Sequence, residues 1–122
     1  MIMIKLLVVE DTPLNMELIL EIMDGQGFEV DTADDGETAL ELVEKKNYDL
    51  ILMDVELPGI DGAEVTRMIK TKPSYKDIPV IALTAYAMEG DKERLLGKGF
   101  NDYIAKPIEV PNFIEKIKKY RK

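Results

Sequence analysis

The chain predicts an α/β fold of five parallel strands in the order 2-1-3-4-5, doubly wound by five helices. Two observations lead there. Apolar runs without polar alternation, such as Leu50-Ile-Leu-Met53, read as strands buried on both faces, the habit of parallel sheets. Each run is followed by an amphipathic helical stretch, and short strand–helix connections demand right-handed parallel crossovers. The 122 residues, 46% of them apolar, suit a single domain over residues 1–122, with no output domain.

The first strand is expected over Ile2 to Val9. Pro13 fits the first helical position, where its missing N–H would be unpaired anyway, and Leu14, Leu18, Ile19, Ile22 and Met23 form one helical stripe. Gly25 and Gly27 stop that helix, and Phe28 to Ala33 reads as the second strand. Asp35-Gly36 opens a helix with Ala39, Leu40 and Val43 inward, ending near Asn47. The third strand, Asp49 to Asp54, ends on a carboxylate, and Pro58-Gly59 turns the chain away. Asp61-Gly-Ala-Glu64 has the form of a capping box, opening a helix with Val65, Met68 and Ile69 inside. Ile78 to Thr84 is the fourth strand, its proline near the entrance where a lost ladder bond costs least. A helix over Ala87 to Lys98 carries Gly90 in its first turns, at a cost of up to about 1 kcal/mol relative to alanine. Asp102 to Ala105 is a short fifth strand, and the last helix carries Val110, Phe113, Ile114 and Ile117 on one stripe.

Composition removes whole classes of chemistry. There is no cysteine and no histidine, so disulfides, thiolate catalysis, a histidine-based triad and an ordinary zinc site are excluded. A net charge of −8 argues against direct nucleic-acid binding. The basic cluster at Lys116, Lys118, Lys119, Arg121 and Lys122 reads as a complement to a terminal helix dipole. Met1 to Val9 is too short to span a bilayer, so the expectation is a soluble, cytoplasmic protein without membrane attachment.

The strand order puts the residues leaving strands one, three, four and five along one sheet edge, where open α/β sheets gather ligands. These are Glu10 and Asp11, then Asp54, Thr84 and Lys106. Each has an ordinary alternative: Asp11 and Thr84 as helix caps, Lys106 as a solvated lysine, Glu10 as an idle strand end. Their coincidence argues otherwise. Three clustered carboxylates repel one another unless a cation sits among them, and oxygen-only ligands favour Mg²⁺, with Mn²⁺ able to substitute. Mg²⁺ usually takes a phosphate oxygen as a further ligand, which points to phosphoryl transfer. Asp54 is the central candidate nucleophile, forming an acyl phosphate, with Thr84 and Lys106 meeting the charge on the transferring group. No residue is an obvious hydrolytic base, which fits a long-lived covalent state rather than turnover.

The whole chain, from Lys5 to about Tyr120, resembles the receiver domain of two-component response regulators, a flavodoxin-like fold. The resemblance rests on Val8-Val-Glu-Asp11, Leu50-Ile-Leu-Met-Asp54, Leu57-Pro-Gly59 with Asp61-Gly62, Leu83-Thr-Ala85 and Asp102-Tyr-Ile-Ala-Lys-Pro107, in order. It implies that Asp54 accepts phosphate from a histidine kinase or histidine phosphotransfer protein. It implies that Glu10, Asp11, Asp54 and the Glu56 main-chain carbonyl hold Mg²⁺, and that Thr84 and Lys106 contact the phosphoryl group. Tyr103 would be the aromatic that swings inward as Thr84 moves, and the Lys106-Pro107 bond would be cis. Glu56 and Tyr86 occupy the two positions that tune phosphate lifetime in the family; both are bulky enough to hinder an attacking water. Thr12-Pro13 departs from the Asn or Asp common after the acid pair, a change that leaves metal binding intact. Val8 to Asn15 is most similar to receivers of hybrid kinases and the small cell-cycle regulators.

Under this reading the chain switches a docking surface for a downstream protein, formed by helix four, strand five and helix five. The enzyme alternative is an aspartate-nucleophile phosphatase of the haloacid-dehalogenase type, suggested by Asp54-Val-Glu56, with Glu56 as acid/base. A flavodoxin-type electron carrier shares the topology, but Glu10-Asp11 would repel its phosphate. A receiver that only binds partners would lack a site residue, and none is missing.

Overall fold

The computed structural model describes residues 3–86 and 90–120. Strands β1 (Ile4–Val9), β2 (Phe28–Ala33), β3 (Leu50–Asp54), β4 (Val80–Thr84) and β5 (Asp102–Ala105) form one parallel sheet in the order β2-β1-β3-β4-β5. Helices α1 (Pro13–Met23), α2 (Gly36–Lys45), α3 (Gly62–Lys70), α4 (Asp91–Gly97) and α5 (Val110–Lys118) connect and cover it, with a single 3-10 turn at Pro73–Tyr75. The expected fold class and strand order are those observed.

Because side chains alternate across a strand, each central strand feeds two cores. Leu7, Val9, Ile51 and Met53 face one cluster with Ala39, Val43, Val65 and Ile69 from α2 and α3. Leu6, Val8, Leu50, Leu52, Ile81 and Leu83 face the other, with Ile19, Ile22, Phe113 and Ile117 from α1 and α5. Full burial of one such side chain stabilises the fold by about 1.5–3 kcal/mol. The register then aligns the strand ends: Val9 lies opposite Met53, Asp54 opposite Leu83, and Thr84 opposite Ala105. The residues that follow or close these strands therefore share one edge.

Local chemistry accounts for most boundaries. Pro13 is at the start of α1. Asp35 caps α2 by accepting from the Thr38 N–H at 2.7 Å, and Asp61 caps α3 by accepting from the Glu64 N–H at 2.9 Å. The capping box at Asp61 is only half formed, because the Glu64 carboxylate turns outward to Arg67 at 2.8 Å instead of reaching back. Near the open edge of β5, Asp102 accepts from the Tyr103 N–H, Lys116 and the Tyr120 hydroxyl. On β2, Asp31 accepts from Lys46 and the Tyr48 hydroxyl.

Several expectations need correction. Leu14 is 76% exposed, because the buried face of α1 is carried by its later turns. Met68, expected to face inward, is half-buried, whereas Thr66 is fully buried. Val110, the first residue of α5, is exposed while Phe113 and Ile117 are buried. β4 starts at Val80, beyond Pro79, rather than at Ile78. Ile2 and the basic residues Arg121 and Lys122 lie outside the described residues.

The largest difference is α4. It begins at Asp91, and Gly90 is its N-cap with φ +92°, a left-handed conformation that glycine adopts without a side-chain clash. The glycine therefore stands before the helix rather than weakening its interior. Residues 87–89, where the helix was expected to start, lie outside the described residues.

Candidate functional site

β1 ends at Val9 and delivers Glu10 into the sheet edge, 1% exposed, while Asp11 beside it faces solvent. The ordinary reading of Asp11 as the cap of α1 does not hold, since the N-cap residue is Thr12. Its N–H instead donates to Glu10 Oε2 at 3.0 Å, fixing the carboxylate. β3 carries Asp54, also 1% exposed, whose Oδ1 accepts from the Glu56 N–H at 2.9 Å. β5 hands on Lys106, whose ammonium is 3.0 Å from Glu10 Oε1 and 3.1 Å from Asp54 Oδ2. The Lys106-Pro107 bond is cis. Glu10, Asp11 and Asp54 each offer an oxygen within 4.8 Å of the others. Thus four of the five expected side chains meet in one cluster, and Lys106 is no free surface lysine.

The electrostatics of the cluster are uneven. Burial, then the Glu10 charge, push the Asp54 carboxyl up to about 7, with Lys106 only partly offsetting them. Burial pulls the Lys106 ammonium down, but Glu10 and Asp54 outweigh it and hold it above the ordinary lysine value. One ammonium thus pairs with two of the three carboxylates. Glu10 Oε1 sits within ion-pair distance of Lys106 yet accepts no well-aligned hydrogen bond. An anionic, oxygen-only cluster with one buried oxygen left under-satisfied fits a hard divalent cation.

Thr84 is engaged within the chain. It is 1% exposed at the end of β4, but its hydroxyl donates to Glu56 Oε2 at 2.8 Å and accepts from the Tyr86 N–H at 3.0 Å. Nor does it cap α4, which starts seven residues later. The Glu56 carboxylate also accepts from the Ala85 N–H at 3.1 Å. Tyr86 is exposed. Tyr103 is half-buried, with the Lys116 ammonium 5.4 Å from its ring centre.

Two features escaped the sequence reading. The bonding role of the Glu56 side chain carries no local signature, because periodicity does not tell where a loop side chain points. Gly62, read only as part of a helix start, is a packing requirement: a Cβ there would stand 2.0 Å from the Asp54 carbonyl oxygen. The first turn of α3 thereby rests directly on the backbone of Asp54.

The strand order thus sets the lysine that follows β5 beside the aspartate that closes the central strand β3. The family model described as the response regulator receiver domain matches residues 6–118, and the chain belongs to that family. The chain is 46% identical over 116 residues to the polar-differentiation response regulator DivK of Brucella ovis, covering 95% of this chain and 94% of that one. Among solved structures it is similar to the chemotaxis response regulator CheY4 of Vibrio cholerae, with TM-score 0.91 and 26% identity over 97% of this chain and 98% of that one. It is also similar to the receiver domain of a Pseudomonas aeruginosa sensor histidine kinase, solved with a magnesium ion coordinated in its active-site cleft. That TM-score is 0.86, with 37% identity over 97% of each chain. These findings give no support to the dehalogenase-type phosphatase. Among the described residues no helix is long and apolar enough to cross a membrane.

Proposed function

We propose that Asp54 is the phosphoacceptor of this receiver domain, taking a phosphoryl group from the phosphohistidine of a histidine kinase or phosphotransfer protein. A carboxylate oxygen of Asp54 attacks phosphorus. A P–O bond forms as the donor's P–N bond breaks, and the electron pair leaves with the imidazole nitrogen. The observation that carries this reading is the Lys106 ammonium held 3.1 Å from Asp54 and 3.0 Å from Glu10. It places a fixed positive charge where the phosphoryl oxygens would arrive.

Glu10, Asp11 and Asp54, with the Glu56 main-chain carbonyl, would hold Mg²⁺ or Mn²⁺. The bound cation supplies charge neutralisation for the incoming oxygens and keeps the Asp54 carboxylate ionised. Support comes from the magnesium in the similar Pseudomonas receiver. Lys106 orients the phosphoryl group, and Thr84 supplies a further donor once its hydroxyl is free. Tyr103 follows Thr84 in the switch. The readout is a docking surface on α4, β5 and α5 for a downstream protein. The 122 residues act as one cytoplasmic receiver domain, without direct contact to nucleic acid or membrane and without substrate turnover beyond slow loss of their own phosphate.

The test is mass spectrometry after incubation with Mg²⁺ and acetyl phosphate. The wild type gains one phosphoryl increment, Asp54→Ala gains none, and Lys106→Ala gains it far more slowly. An increment that persists in Asp54→Ala removes the assignment.

A further inference from the structure

The two donors at the end of β4 are already taken by an anion belonging to the chain itself. Glu56 Oε2 accepts the Thr84 hydroxyl proton at 2.8 Å, and Glu56 Oε1 accepts from the Ala85 N–H at 3.1 Å. A threonine hydroxyl has one proton to give, so while this bond stands Thr84 has none for a phosphoryl oxygen. Glu56 itself is anchored at its other end, because its N–H donates to Asp54 Oδ1 at 2.9 Å. The carboxylate thus spans from the loop after β3 to the loop after β4. Its residue is exposed, so release into solvent requires no repacking.

We propose that Glu56 is a competing internal anion: its carboxylate occupies the donors at Thr84 and Ala85 in the resting state and must leave before they serve a phosphoryl group on Asp54. The physical basis is like-charge repulsion together with competition for donors. Phosphorylation replaces the single charge of the Asp54 carboxylate by nearly two on the phosphoryl group, two residues from Glu56, and both anions need the same hydroxyl proton. The resting latch is lost as the phosphoryl group gains its contacts. Glu56 is therefore a positioning residue acting through Thr84, and it sets how readily the site accepts a phosphoryl group. This rests on the reading of Asp54 as phosphoacceptor.

The experiment titrates fluoroberyllate, a phosphoryl mimic, in Mg²⁺ against wild type, Glu56→Gln and Glu56→Ala, following the Ala85 amide resonance. Both variants are neutral, but only Gln keeps a side-chain acceptor. Affinity is expected to rise in the order wild type, Gln, Ala, by about three- to tenfold overall, the scale of an exposed charge-assisted hydrogen bond. In the ligand-free Ala variant the Ala85 amide should move, whereas the saturated forms should nearly coincide. Equal affinities for Gln and Ala, or an unmoved Ala85 amide, would show that charge alone acts and would overturn the latch. Binding that is unchanged in both variants does the same while leaving the phosphoacceptor reading intact. Binding to none of the three proteins removes that reading and the latch with it.

Discussion

Asp54 occupies surroundings that favour its protonated form, and this has a thermodynamic consequence. Between the ordinary carboxylate range and about 7, the folded chain holds a proton that the unfolded chain has released. Folding without a divalent cation should therefore lose stability as pH rises through that window. Asp54→Asn removes the liability. Calorimetry in chelator should show the wild-type melting temperature falling from about pH 5 to about pH 8 more steeply than that of Asp54→Asn. At the upper end the variant should be the more stable by roughly 2 kcal/mol, less than a full single-site shift because the cluster shares its charge. Mg²⁺ should stabilise the wild type and do little for the variant. Parallel slopes for the two proteins would contradict this. The position of Asp54 was legible because an apolar run stops on a carboxylate before Pro58-Gly59. The engagement of Thr84 by Glu56 was not, since it depends on two loops meeting in space.

At the scale of elements, the proposed function makes the end of β4 and the start of α4 the link from site to surface. α4 is seven residues long, its cap is a left-handed glycine with no side-chain bond, and an exposed Asp91–Arg94 pair at 2.7 Å spans its first turn. α1 is eleven residues long with Ile19, Ile22 and Met23 buried. Phosphorylation, or its fluoroberyllate mimic, should move the amide resonances of Ala85, Tyr86 and Asp91 to Leu95 far more than those of Leu18 to Met23. Uniform shifts, or none, would remove the switch from this segment. The strands could be read from their unbroken apolar runs and the longer helices from their hydrophobic period. α4 could not, because the Ala-Met-Glu-Gly stretch before it suits a helix until the backbone at Gly90 turns left-handed.

For the whole molecule, stability is concentrated in the strands that serve both cores. Leu6 to Val9 and Leu50 to Met53 are fully buried, with helices on either face. Their amides should exchange with solvent only through global unfolding, and those of Asp91–Gly97 at least about a hundredfold faster through local opening. Comparable rates in α4 and β3 would contradict this. The sheet has two lateral rims, and each carries ionised groups where another strand would have to approach. At β5 the Asp102 carboxylate claims the Tyr103 N–H and is itself screened by Lys116 and Tyr120, while β2 presents Asp31 tied to Lys46. Such margins discourage extension of the ladder by a foreign chain. Under the proposed function, a downstream protein would therefore dock on side chains of α4, β5 and α5 rather than by adding a strand, and the hydrogen-bonded slab beneath would stay the same in both states of Asp54.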